Sequence, residues 1–330
     1  MKNLPSRRAL ITGISGQDGY YLSKFLHSKG YEVFGLIHDA SREKRKELDL
    51  RIPFVHLIRG NLTNEKSLTR ALRTSQPHEV YNLAAKSHVN NSWSHPKLTS
   101  QITAQGVLNL LEAIRVWNTG QDNQLKFYQA SSSEMFGRTY ESPQNEKTLL
   151  WPRSPYGASK AFGHHMTINY RENYGLHASS GILFNHESPL RPPEFVSRKI
   201  SLGVAKIKLG MQKELTMGNL QAARDWGFAG DYVEAMWLMT QQEVPGDYVI
   251  STGVMHTVKD FLEIAFRAAE IPNWESRVSV SNDLLRRAEI DQLVGDSRKA
   301  RSILGWEPKV KFEELVHLMV KADIRTLSQA

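Results

Sequence analysis

The sequence predicts an α/β protein on a doubly wound parallel sheet, with a smaller substrate-binding α/β region in its second half. Three observations carry this. Apolar runs bounded by turn signals alternate with stretches of helical spacing through the first 185 residues, those runs are apolar on both faces, and Gly13, Gly16 and Gly19 lie between the first run and the first helix. A strand apolar on both faces has to be covered on both sides, as a parallel sheet between two helix layers is.

The predicted strands run from Ala9 to Thr12, Glu32 to Leu36, Val55 to Arg59, Val80 to Leu83, Lys126 to Ala130 and Ala178 to Leu183. Helical spacing fills Tyr20 to Ser28, Glu65 to Arg73, Thr99 to Val116 and Tyr156 to Tyr174. After Asn185 the pattern loosens: Pro189, Pro192 and Pro193 break regular structure, and a helix from Phe195 to Leu209 and a short strand from Glu214 to Met217 follow. With no repeat, low-complexity tract or flexible linker, the halves are expected to pack directly, with the binding cleft between them. The expected division is a sheet domain over 1–185 with return segments near 227–255 and 310–330, and a smaller region over 186–226 and 256–309.

The chain has 330 residues, long enough to bury a full core. It has no cysteine, which rules out disulfides and thiolate metal sites; no metal is expected. No secretory apolar region or spanning helix follows Arg7-Arg8, so a cytoplasmic protein without membrane contact is expected. Lysine plus arginine (42) exceed aspartate plus glutamate (34), for a net charge of +8, which favours anionic partners. The densest basic run, Arg42-Glu43-Lys44-Arg45-Lys46, contains an acid and no aromatic residue, and reads as a solvated helix face rather than a nucleic-acid surface. A nucleotide diphosphate satisfies the same charge.

The string Gly13-Ile14-Ser15-Gly16-Gln17-Asp18-Gly19 follows a strand and opens a helix. Glycines let the backbone turn tightly and approach a pyrophosphate, whose charge the helix N-terminus stabilises. This is the phosphate turn of a Rossmann sheet. Where the second strand ends, Asp39 disfavours a 2′-phosphate on the adenosine ribose, whereas Arg42, Lys44 and Arg45 favour one, so these residues admit both NAD and NADP.

Catalytic chemistry is expected from Ser131-Ser132-Ser133-Glu134, behind the fifth strand, and from Tyr156 and Lys160. Residues four apart on a helix share a face, where the Lys160 ammonium is expected to lower the pKa of the Tyr156 phenol and make it a usable base. Glu134 adds a carboxylate base that simple hydride transfer does not need, which points to removal of a carbon-bound proton.

These strings resemble the extended short-chain dehydrogenase/reductases, and within them the GDP-mannose 4,6-dehydratase family. The resemblance is carried by Ala9-Leu10-Ile11-Thr12-Gly13 with Gly16-Gln17-Asp18-Gly19, by Glu79-Val80-Tyr81-Asn82-Leu83 and Tyr128-Gln129-Ala130-Ser131, and by Pro152-Arg153-Ser154-Pro155-Tyr156. It continues through Gly181-Ile182-Leu183-Phe184-Asn185-His186-Glu187-Ser188-Pro189, Arg198-Lys199-Ile200 and Arg224-Asp225-Trp226-Gly227. It implies oxidation of a nucleotide sugar at C4 with Tyr156 as base, loss of water across C5 and C6 with Glu134 as base and then acid, and hydride return to C6. Ser132 stands where the family has threonine and is expected to hydrogen-bond the C4 oxygen.

The resemblance further implies that the glycine turn, His38, Asp39, Asn61, Leu62, Leu83, Ala84, Ala85, Ser87, Tyr156, Lys160, His186 and Arg191 hold the cofactor. Asn185, Lys199, Arg224, Arg286 and Glu289 would hold a nucleotide-diphosphate sugar, GDP-mannose first. NADP is the implied cofactor, with NAD as alternative, tightly bound and regenerated in each turnover, and the implied assembly is a homotetramer or homodimer. His38-Asp39 replaces the family's paired arginines, Asn61 a usual aspartate and Leu98 a usual tyrosine. Decarboxylases of nucleotide sugars also keep an acid at the Glu134 position, whereas 4-epimerases and 4-keto reductases generally lack it.

Overall fold

The computed structural model describes residues 7–38, 42–121, 124–284 and 293–329. The first half alternates β1 (Arg8–Thr12), α1 (Gln17–Ser28), β2 (Glu32–Ile37), α2 (Arg42–Arg51), β3 (Val55–Arg59), α3 (Glu65–Ser75) and β4 (Glu79–Asn82). Helices α4 (Val89–Ser94), α5 (Pro96–Ser100) and α6 (Gly106–Asn118) precede β5 (Lys126–Ser132), and α7 (Pro155–Tyr174) leads to β6 (Ala178–Leu183). The second half carries β7 (Asn185–Glu187), α8 (Val196–Lys208), β8 (Leu215–Met217), β9 (Ala223–Phe228), α9 (Ala229–Gln241) and β10 (Asp247–Ile250). It closes with β11 (Met255–Thr257), α10 (Val258–Ala268), β12 (Val278–Val280) and α11 (Phe312–Ser328).

Seven parallel strands form the main sheet in the order β10-β6-β5-β4-β1-β2-β3. The chain moves outward one way from β1 and then returns to build the other way from β4. That reversal opens a crevice at the C-terminal ends of β1 and β4. Successive residues serve opposite faces, as strand geometry requires. Leu10, Val80 and Phe127 enter one core with α3 and α6, whereas Ile11, Tyr81 and Tyr128 enter the other with α1 and α9.

A third core holds Ile200, Val204, Leu215, Trp226, Phe261, Phe266, Leu315 and Met319. Trp226 is almost fully buried and stacks on Phe312 with ring centres 5.8 Å apart. Here the structure departs from the expected division. The described part of the 310–330 return segment does not join the main sheet: α11 turns Leu315, Val316, Met319 and Val320 into this third core. Arg198 locks it to α8 through Asp323 at 2.6 Å, with the Ser201 hydroxyl donating to the same carboxylate at 2.6 Å. Ala300, Leu304 and Trp306, expected in the smaller region, pack with the main sheet, where the Trp306 indole donates to the Asp231 carbonyl at 2.8 Å.

Two local differences bear on the site. Strand β5 runs past Ala130, because Ser131 and Ser132 pair in register with Ile182 and Leu183 of β6. The single helix expected over Thr99 to Val116 is divided by a π-helical turn over Gln101–Gln105, a feature that re-aims side chains within a helix. Helix α2 carries the basic run, with Glu43, Arg45, Lys46 and Glu47 exposed. Among the described residues no helix is long and apolar enough to cross a membrane. Because Trp226 fills the centre of the third core, Trp226→Ala is expected to cost about 3–5 kcal/mol, measured by denaturant unfolding.

Candidate active site

A cavity of about 780 Å³ opens at the crevice between β1 and β4 and is walled on its far side by residues after β6. Its floor is the turn between β1 and α1. Gly13 has φ +72°, and a Cβ there would lie 2.8 Å from the Ala84 nitrogen; a Cβ on Gly19 would lie 2.6 Å from the Gly13 carbonyl oxygen. Both positions therefore require glycine. Gly16 caps α1 without a side-chain hydrogen bond, so the first-turn N–H groups of α1 have no side-chain cap. A bare turn at a helix N-terminus fits the diphosphate of a dinucleotide.

The opposite wall is braced across the cavity. The Asp18 carboxylate meets His186 Nε2 at 2.9 Å, and His186 Nδ1 lies 2.8 Å from the Phe184 carbonyl. The Gln17 amide donates to the His186 carbonyl at 3.1 Å and accepts from the Ser188 hydroxyl at 2.7 Å. Burial works against the Asp18 charge, but His186, aided by Gln17 and Arg191, brings the carboxyl down to about 2. Burial likewise works against His186, and Asp18 overcomes it and raises the imidazole. Arg191, paired with Glu187 at 3.1 Å, lies over the Phe195 ring at 3.7 Å.

The residues expected to react sit at the end of β5 and the start of α7. The Ser154 hydroxyl caps α7 by accepting from the Gly157 N–H at 3.0 Å, with Pro155 at the first helical position. A Cβ on Gly157 would lie 2.6 Å from the Glu134 carbonyl, so its lack of a side chain brings Tyr156 beside the Ser133–Met135 turn. Ser132, Glu134, Tyr156 and Lys160 all line the cavity.

One electrostatic expectation is corrected. Lys160 does not lower Tyr156: its ammonium donates to the Ala130 carbonyl at 2.7 Å and stands 5.7 Å from the centre of the Tyr156 ring. Burial instead pushes the Tyr156 phenol up to about 12, reinforced by Glu134 and Asp18 and opposed by Ser132 and Arg191. Burial also brings Lys160 down to about 8.

Of the residues expected at the cofactor, the turn from Gly13 to Gly19 lines the cavity except Ile14, whose side chain enters the core beneath. His38, Asn61, Leu83, Ala84, Ala85, Ser87, His186 and Arg191 line it, whereas Leu62 is buried against α3 and α6. Asn185 and Arg224 line it from the second half; Lys199 does not, and sits half-buried on α8. Asp39, Arg286 and Glu289 lie outside the described residues. In the Arg-Asp-Trp string the roles divide. Arg224 faces the cavity, Trp226 fills the third core, and Asp225 accepts from the Thr252 and Gly253 N–H groups at 2.9 and 2.8 Å. Lys86, inside the Leu83-to-Ser87 segment expected at the cofactor, also lines the cavity; sequence reasoning missed Thr63, Gln101, Ile102 and Phe195. Gln101 and Ile102 give no signal, because nothing in their residue types marks a π turn inside a helix.

A doubly wound sheet, a phosphate turn at its reversal and a Tyr/Lys pair over the end of β5 define a short-chain dehydrogenase/reductase of the extended class. The family profile described as GDP-mannose 4,6 dehydratase matches residues 10–319. GDP-mannose 4,6 dehydratase 1 of Arabidopsis thaliana is 51% identical over 328 residues, covering 97% of this chain and 90% of that protein. The Homo sapiens GDP-mannose 4,6 dehydratase is 44% identical over 98% of this chain and 93% of its own length. Among solved structures, the UDP-glucose 4-epimerase of Thermus thermophilus in complex with NAD superposes with a TM-score of 0.83 at 28% identity, covering 96% of this chain and 98% of that one. The chain belongs to the GDP-mannose 4,6-dehydratase family.

The Asp18–His186 pair sets a pH window. A depressed Asp18 contributes stability above its unfolded value near 4 and loses it as pH falls towards 2; a raised His186 contributes it below about 6.5 and loses it as pH rises through the folded value. Asp18→Asn is expected to lower the melting temperature most between about pH 4 and 6.5, with the gap closing on both sides; thermal unfolding across pH checks this.

Proposed function

We propose that this protein converts GDP-mannose to GDP-4-keto-6-deoxymannose. The observation that carries the reading is a carboxylate, Glu134, lining the same cavity as Tyr156 and Lys160, in a chain 51% identical to a protein named for this reaction. An epimerase or reductase at C4 has no step for a second base.

In this reading the uncapped first turn of α1 and the Gly13 turn bind the cofactor diphosphate. When bound, the oxidised nicotinamide would accept hydride from C4 and, once reduced, return it to C6, and its positive charge would oppose the burial that holds the Tyr156 proton. Tyr156 Oη takes the proton of the C4 hydroxyl, and the Ser132 hydroxyl donates to the C4 oxygen. The ketone acidifies C5–H, Glu134 takes that proton, and the protonated carboxyl gives it to the departing C6 hydroxyl, which leaves as water. C6 would then receive hydride, and the proton that Tyr156 took from the C4 hydroxyl would pass to C5, which returns Tyr156 and Glu134 to their starting states and leaves sugar minus water as the only net change.

Arg224, lining the cavity, is the cation for the sugar-nucleotide diphosphate, and Arg191 lines the same cavity on the cofactor side. The cofactor is NADP, with NAD the alternative; His38 and Asn61 line the cavity where β2 and β3 end, and titration with each dinucleotide identifies the one used. The family resemblance adds a cytoplasmic homotetramer or homodimer.

GDP-mannose deuterated at C4 is expected to give product deuterated at C6, read by mass and NMR, with no steady consumption of cofactor. Product lacking the C6 label would overturn the reading, and carbon dioxide release would indicate a decarboxylase. Glu134→Gln is expected to keep cofactor and substrate dissociation constants within about threefold while product formation falls by several orders of magnitude.

A further inference from the structure

Beneath the cavity floor a line of fully buried polar side chains crosses the sheet from β1 to β5. Its direction is fixed by its ends, because a backbone N–H only donates and a backbone carbonyl only accepts. The Ala84 N–H donates to Thr12 Oγ1 at 3.2 Å, and the Thr12 hydroxyl donates to Asn82 Oδ1 at 2.6 Å. That leaves the Asn82 amide NH₂ to donate to Gln129 Oε1 at 2.8 Å, and the Gln129 NH₂ to donate to the Ala130 carbonyl at 3.0 Å. The same carbonyl receives the Lys160 ammonium at 2.7 Å. Thr12, Asn82 and Gln129 are each at most 2% exposed, so turning any one group round would leave a buried donor or acceptor unpaired.

We propose that Thr12, Asn82 and Gln129 are positioning residues, a relay that aims the Ala130 carbonyl and through it fixes Lys160 relative to the phosphate turn. Ala84, at the head of the relay, lines the cavity, and Lys160, at its foot, lines it from the other side. The peptide unit that carries the Ala130 carbonyl is also held from its following residue, where Ser131 Oγ lies 3.0 Å from His164 Nδ1. His164 stands one helical turn beyond Lys160 on α7, so Lys160 and His164 clamp this unit from the helix side while Gln129 holds it from the sheet. None of the three relay residues needs to touch a ligand to act. The inference rests on the role given to Lys160 above.

The test is a double-mutant cycle between Thr12 and Gln129, which lie two strand spacings apart, roughly 9–10 Å, where independent substitutions usually add. Thr12→Val and Gln129→Met keep shape and remove the hydrogen bonds. At saturating cofactor each is expected to lower kcat about tenfold or more with the KM for GDP-mannose within about threefold. The double variant should be no slower than the slower single, and Thr12→Ser, which keeps the hydroxyl, should restore kcat. Melting temperatures confirm folding, and fluorescence titration with the reduced cofactor reads its dissociation constant separately from turnover.

Multiplying effects in the double variant, a parental kcat in either single, or failure of Thr12→Ser to restore turnover would overturn the relay. If Gln129→Met does not fold, the Val and Ser replacements at Thr12 decide by themselves, since Thr12 is three hydrogen bonds from the Ala130 carbonyl. Lys160→Met separates the two ideas: retained turnover there defeats the role of Lys160, whereas lost turnover with a silent Thr12→Val defeats only the relay.

Discussion

The seating of α7 on the end of β5 fixes the geometry of Tyr156, Lys160, Ser132 and Glu134. One ammonium on one carbonyl, Lys160 on Ala130, holds the second turn of the helix. The bare Gly157 lets the first turn close on the Ser133–Met135 turn. Tyr156, Ser132 and Glu134 are thereby brought to one cavity by elements that are rigid for other reasons: β5 is interior to a seven-stranded sheet and α7 is twenty residues long. Side chains carried on such elements are held close to one geometry.

The price of that rigidity is burial, and burial decides the charges. A phenol pushed up to about 12 and an amine brought down to about 8 are each moved away from their charged forms. In the free site burial thus opposes the charged form of both groups.

Much of this is legible in the sequence, and the gaps have physical causes. The six strands of the first half can be read to within two residues of their ends, because two-sided burial leaves unbroken apolar runs such as Ala178 to Leu183. The glycine turn and the Tyr156/Lys160 pair are legible because their chemistry depends on local spacing. What local spacing cannot encode stays hidden. The fate of α11 depends on which distant core accepts its apolar stripe, the π turn at Gln101–Gln105 carries ordinary helical residues, and Lys160 turns to a carbonyl thirty residues away in sequence. Resemblance alone puts Lys199 and Leu62 at the ligands; Leu62 is buried in the core against α3 and α6, and Lys199 is half-buried on α8.

The brace between the phosphate turn and residues 186–188 has a consequence for how the protein is made. Gln17 and Asp18 find their partners about 170 positions later in the chain, at His186 and Ser188. A nascent chain on the ribosome emerges N-terminal end first, so the strands around the turn are present well before the segment that clasps it. The glycine turn acquires this brace only once residues 186–188 have been made, and a product truncated before them lacks the clasp.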